Sequence, residues 1–129
     1  MGLSVVDTSV LVAFLESADT HHPSAVAELT RAFEVHSLVI PIIAFAEVLV
    51  GSARRGPNEE TVAEQFLAAI GGVETISRPM ARRAAKLRAS TGLKLPDALV
   101  IATGLELDAD EILTADRRWQ SVDARVRVI

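Results

Sequence analysis

Leu3-Ser4-Val5-Val6-Asp7-Thr8-Ser9-Val10-Leu11-Val12-Ala13-Phe14-Leu15 holds a single acid inside an otherwise uncharged, mostly apolar run. Leu3 to Val6 are too few and too apolar for an exposed helix and read as a short strand buried on both faces. Val10, Leu11, Phe14 and Leu15 recur at helical spacing. Asp7 therefore falls at a strand-to-helix switch, the place at the carboxyl end of a strand where open α/β sheets hold ligands. A second reading stays open here, because Asp is among the preferred helix caps and Thr8 or Ser9 could serve as well.

Two more lone acids stand in similar surroundings. Between Ile40 and Val50 the only charged residue is Glu47, on a helix expected from Pro41 to about Ser52 that is apolar nearly all round. An ionised carboxylate there must be paired, protonated or bound to a cation unless it finds a strip of solvent or a distant arginine. Asp97 is the only acid between Leu95 and Leu105, in the first turn of another apolar helix. Capping and the helix dipole also accommodate an Asp at that point. Finally, Asp116 follows the strand Glu111-Ile112-Leu113-Thr114 at its carboxyl end and so repeats the placement of Asp7.

The intervening segments alternate strand and helix. Ser17 to His22 is a polar turn, and Pro23 suits the first turn of a helix carrying Ala25, Val26, Leu29, Ala32 and Phe33. Ser37 to Ile40 reads as a second strand. Arg54 to Asn58 breaks the chain before a helix from Asn58 to Ile70, which Gly71-Gly72 ends, with a third strand at Val73 to Ile76. Pro79 starts a basic amphipathic helix bearing Arg82, Arg83, Lys86 and Arg88. Arg125 to Ile129 alternates charged and apolar residues and fits an edge strand. This order predicts an α/β fold with a parallel sheet and helices on both faces. No linker, repeat or low-complexity segment divides residues 1–129, so one domain is expected.

Composition narrows the function classes. The chain has 129 residues, is 50% hydrophobic and has no cysteine, which excludes disulfides and thiolate metal sites and fits a reducing compartment. Mean hydropathy is +0.32, yet no apolar run is long enough to span a bilayer. No basic segment precedes the first apolar run, so no signal peptide is expected and the cytoplasm is the default. The net charge of -4 argues against coating nucleic acid by bulk electrostatics. It leaves room for a nuclease, whose acids lower the total while local basic residues hold phosphates. Arg54, Arg55, Arg82, Arg83 and Arg117 are the candidate phosphate contacts, with a solvated surface as the alternative. His21, His22 and His36 have no ligand-like partners in sequence and read as surface or capping groups.

Four carboxylates around one end of a sheet would push each other's pKa upward, and a divalent cation removes the conflict. All-oxygen ligation without Cys suits Mg2+ or Mn2+. Such a site can polarise a phosphodiester, activate water and stabilise the leaving oxygen.

The motifs Val-Val-Asp7-Thr8-Ser9, Ala46-Glu47-Val48-Leu49, Leu95-Pro96-Asp97-Ala98-Leu99 and Leu113-Thr114-Ala115-Asp116, in this order and separation, resemble those of the PIN-domain ribonucleases. The likeness is greatest to the VapC toxins of prokaryotic toxin-antitoxin pairs and extends over the whole chain. It implies a three-layer α/β/α fold with five parallel strands in the order 3-2-1-4-5, and Mg2+- or Mn2+-dependent endoribonuclease activity. It carries Asp7, Glu47, Asp97 and Asp116 over as the metal site, with Thr8, Ser9 and Thr114 as neighbouring hydroxyls that orient carboxylates or bound water. Trp119 stands where the family often has Phe and is expected to pack in the core. The resemblance also implies a homodimer, an RNA substrate and a small VapB-like antitoxin, and the lack of a span-length apolar run leads to an expectation of no membrane association. A signalling receiver, the other small acidic-pocket fold, would need an Asp at the end of the third strand and a Lys near the pocket. Ser77 follows that strand here, and no strand end carries a Lys. A PIN-like module that binds RNA or a partner without cutting remains the alternative.

Overall fold

The computed structural model describes residues 2–129. The chain runs β1 (Gly2–Val6), α1 (Thr8–Leu15), α2 (His22–Val35), β2 (His36–Pro41), α3 (Ile42–Ala53), α4 (Pro57–Ile70) and β3 (Gly71–Glu74). It continues through α5 (Arg78–Thr91), α6 (Leu95–Glu106), β4 (Glu111–Thr114), a 3-10 turn (Arg117–Trp119) and β5 (Val126–Val128). The strands form one sheet in the order 3-2-1-4-5, and every neighbouring pair is parallel.

Strand alternation sorts the core into two sides. Val6, Leu38, Ile40 and Leu113 pack with Val10 and Leu11 of α1, Ala25 and Leu29 of α2 and Leu67 of α4. Their sequence neighbours Val5 and Ile112 point the other way and meet Val100 and Ile101 of α6 together with Trp119. Helix α5 stacks on α6 through Ala84, Ala98 and Ala102, whose small side chains let the helices approach. The result is the three-layer α/β/α arrangement. Trp119 is fully buried, as its expected packing role requires. Its indole N–H has no hydrogen-bond partner among the described residues.

The third strand begins earlier than its sequence suggested. Gly71-Gly72 reads as a helix stop because glycine is the usual residue just beyond a helix. Gly71 instead has extended backbone, with φ of -176°, and pairs with Leu38 while Gly72 pairs with Val39. A side chain at position 71 would overlap the Leu38 carbonyl, so glycine is there for close strand approach. Gly71→Ala should therefore cost about 1–3 kcal/mol by overpacking, read as a lower denaturant midpoint, whereas Gly72→Ala, with open space around it, should cost much less.

The amino-terminal end of the sheet is closed by polar contacts. Ser4 Oγ donates to Glu111 Oε2 at 2.7 Å, and Arg31 Nη2 donates to both Glu111 oxygens at 2.8 Å. Arg127 and Arg31 both hold Glu28, which ties α2 to β5 as well as β4. Burial raises the Glu111 pKa, but the bonds from Ser4 and Arg31 outweigh it and leave that pKa lowered. Removing the guanidinium in Arg31→Ala leaves a nearly buried carboxylate short of partners, at an expected cost of about 1–2 kcal/mol. The loss should be visible at pH 7 and should vanish once Glu111 is protonated in acid.

Candidate active site

The chain builds β1, β2 and β3 outward on one side and then returns to add β4 and β5 on the other. The reversal lies between β1 and β4, which pair through Val5 with Ile112 and Val6 with Leu113. In a parallel sheet the crevice at such a reversal opens at the carboxyl ends of the strands. Asp7 and Asp116 follow those two ends.

Asp7 is only 6% exposed. It occupies the cap position of α1 but makes no side-chain capping bond, so capping does not explain it. Its Oδ2 instead accepts from Ser9 Oγ at 2.7 Å and from Thr114 Oγ1 at 2.9 Å. Each hydroxyl also accepts from the segment after β4: Ser9 Oγ from the Ala115 amide at 2.9 Å, and Thr114 Oγ1 from the Asp116 amide at 3.0 Å. Two hydroxyls thus fasten the ends of β1 and β4 together and fix Asp116 relative to Asp7. Burial pushes the Asp7 pKa from 3.8 to about 6, against the opposing pull of the Ser9 and Thr114 bonds and with a smaller contribution from the charge of Asp97.

The other two acids come from helices. Helix α6 lies close against the sheet at Gly104, where an added methyl would press on the Ile112 side chain, and its first turn presents Asp97. Asp97 is half-buried, and burial followed by the charge of Asp116 raises its pKa. Glu47 corrects one expectation. Apolar neighbours in sequence suggested a buried carboxylate, but position 47 is exposed on the edge of α3 that faces the crevice, where Thr8 Oγ1 donates to it at 2.7 Å. The apolar faces of α3 are turned elsewhere, with Ala44 and Val48 in the core.

Asp7, Thr8, Ser9, Glu47, Asp97 and Asp116 line one cavity of about 400 Å3, joined by Pro96, Lys94 and Arg118. The last two are cations that the sequence reading passed over. Arg118 binds Asp116 through Nη2 to Oδ2 at 2.6 Å and through Nε to Oδ1 at 3.0 Å. This pairing holds the Asp116 carboxyl below the usual carboxylate range. Mutual repulsion is therefore not the main influence on these acids: burial dominates at Asp7 and Asp97, and Arg118 dominates at Asp116.

As the side chains stand, no group of three or more carboxylates or imidazoles among the described residues is gathered tightly enough to hold one ion. Glu47 is engaged by Thr8 and Asp116 by Arg118, while Asp7 feels the charge of Asp97, and Asp97 those of Asp116 and Glu47. The donor set consists of hard oxygens on side chains that already reach one cavity. It suits Mg2+ or Mn2+ once Arg118 releases Asp116.

The arginines proposed from sequence lie elsewhere. Arg55 is paired with Glu16 and Arg83 with Glu106, and Arg54, Arg82 and Arg117 are exposed but do not line the acidic cavity. The histidines serve as polar contacts, His22 with the Ala13 carbonyl and His36 with Ser4.

The PIN domain family model matches residues 4–125. The chain belongs to the PIN-domain family. No curated protein matches it in sequence. Among solved structures, this PIN domain is similar to a toxin-antitoxin complex from Klebsiella pneumoniae, with 25% identity over 97% of this chain and 96% of that one and a TM-score of 0.77. It shares its fold with VapBC2 from Rickettsia felis bound to a promoter DNA fragment, at 13% identity over 98% of both chains and a TM-score of 0.81. The same holds for VapC20 from Mycobacterium tuberculosis, described as a sarcin-ricin loop cleaving toxin, at 17% identity over 92% of this chain and 94% of that chain and a TM-score of 0.74. Membership of the family gives the acidic cavity at the β1 and β4 ends its context.

Proposed function

We propose that this PIN domain is a Mg2+- or Mn2+-dependent endoribonuclease and the toxin of a VapBC-type toxin-antitoxin pair, acting in the cytoplasm. The observation that carries this reading is the single cavity lined by Asp7, Glu47, Asp97 and Asp116. In it, Asp7, Asp97 and Asp116 with Glu47 would hold the ion, which when bound supplies an acidified water and counter-charge for the leaving oxygen. Ser9 and Thr114 keep Asp7 oriented, and Thr8 does the same for Glu47. Lys94, exposed at the start of α6 and lining the same cavity, is placed to hold a backbone phosphate.

An antitoxin partner is supported by the toxin-antitoxin complexes among the structural neighbours. The test is cleavage of total RNA by the purified chain with Mg2+, with Mn2+ and with chelator. Metal-dependent internal cuts would support the reading, and an RNA-binding module that leaves RNA intact would overturn it.

A homodimer is part of the same proposal. Val50 on α3 and Val62 on α4 are 50% and 61% exposed, and a symmetric dimer is the commonest way to cover such residues. Sedimentation at micromolar concentration should show a dimer, and Val62→Glu should shift it toward monomer. A wild-type protein that sediments only as monomer would remove the dimer from the proposal.

A further inference from the structure

The Arg118 side chain is 70% exposed, so no packing fixes its guanidinium over Asp116. It nevertheless occupies both carboxylate oxygens, with Nε at 3.0 and 3.1 Å and Nη2 at 2.6 Å. The backbone N–H of Arg118 adds a further bond to Oδ1 at 3.0 Å. Three N–H donors thus take up most of the lone pairs the carboxylate would offer a metal ion, so Arg118 and a cation compete for Asp116. Arg118 also lines a second cavity of about 630 Å3, which shares Lys94 and Asp97 with the acidic one and continues past Arg88, Thr91 and Ser121. In that second cavity Arg88 is committed to the wall, because its Nη1 donates to the carbonyls of Gly92 and Leu93. Lys94 and Arg118 are thus the cations common to both spaces.

We propose that Arg118 is an exchangeable counter-ion of the acidic cavity: it holds Asp116 in the metal-free chain, yields it to a divalent cation, and then joins Lys94 in holding an RNA phosphate in the adjoining groove. The inference rests on the metal-dependent ribonuclease reading and adds an order of events to it. Metal first releases the arginine, and the released arginine then strengthens the hold on the strand. Arginine suits both tasks, since its planar fork matches a carboxylate and a phosphate equally well. The exchange also makes the cavity less negative, because a doubly charged ion takes the place of a singly charged guanidinium on Asp116.

The experiment compares wild type, Arg118→Ala, Arg118→Lys and Arg117→Ala by calorimetric titration with Mn2+ at fixed ionic strength. Arg117→Ala removes the same charge one residue away, at a side chain that does not line the acidic cavity, and so reports the general field. Arg118→Ala should bind Mn2+ about two- to fivefold more tightly, the scale of an exposed ion pair removed as competitor. Arg118→Lys should fall between it and wild type, and Arg117→Ala should stay near wild type. In the second arm, a 2′-O-methyl ribo-oligonucleotide is bound with and without Mn2+ across a salt series. Wild type should gain about one unit of salt slope with Mn2+, the mark of one added phosphate contact, and Arg118→Ala should gain none. Equal Mn2+ affinity in all four proteins, equal tightening in both alanine variants, or an undiminished slope gain in Arg118→Ala would overturn the exchange while leaving the nuclease reading intact. Absence of Mn2+ binding in wild type would overturn both. Arg118→Gln repeats both arms if the alanine variant folds poorly.

Discussion

Purified Asp97→Asn should cleave RNA in Mg2+ or Mn2+ roughly 10²- to 10³-fold more slowly than wild type, the scale on which loss of one preorganised electrostatic group is felt. The substitution keeps the shape of a half-buried side chain in the first turn of α6 and removes its charge. Secondary structure and cooperative unfolding should survive. Because burial and the charge of Asp116 both disfavour the ionised form of Asp97, the variant should also melt slightly above wild type when metal is absent. Cleavage at the wild-type rate would remove Asp97 from the site, and the shared metal with it.

The second large effect concerns Asp7 and stability. Its pKa rises from 3.8 to about 6 on folding, so the folded chain binds more protons between those values than the unfolded chain does. Stability then falls as pH rises. The contribution is fully favourable below pH 3.8, is lost progressively up to about pH 6, and is flat above. The loss is about 3 kcal/mol at 1.36 kcal/mol per pH unit, a reasonable scale for a carboxylate this buried. Asp7→Asn removes the charge and should raise the metal-free melting temperature at pH 7.5 by about 5–10 °C, with little difference from wild type at pH 3.5. Saturating Mg2+ should narrow that gap at neutral pH. It stabilises wild type by about 2.7 kcal/mol at a hundredfold excess over its dissociation constant, while the variant, short of a ligand, responds less. Equal melting temperatures of the two proteins across this pH range would show that the buried carboxylate is not under strain.

The acids that open or end buried segments were legible in the sequence because a charge inside an apolar run demands an explanation. Asp7 and Asp116 could be placed from strand ends alone, and Asp97 from its helix start. Glu47 was legible as a position and misread as an environment, since an apolar helix still has one edge over the crevice and nothing local tells which. Lys94 and Arg118 were missed for the opposite reason. Among 13 Lys and Arg residues, one that turns back on an acid two positions earlier looks like any surface charge until the turn Arg117–Trp119 is known. The early start of β3 was hidden because glycine marks both the end of a helix and a close strand approach, and only the pairing with Leu38 separates the two.

The Ser9 and Thr114 hydroxyls that stitch the ends of β1 and β4 join residues 105 to 107 positions apart in the chain. Asp7 lies far ahead of β4 in the chain, and it acquires the Thr114 hydroxyl and its counterpart Asp116 only when β4 has arrived and paired. Domains generally fold as units during synthesis, so a nascent chain that has laid down β1, β2 and β3 still lacks Asp97 and Asp116. The acidic cavity of a chain built on this plan stays incomplete until α6 and β4 have both been translated and packed.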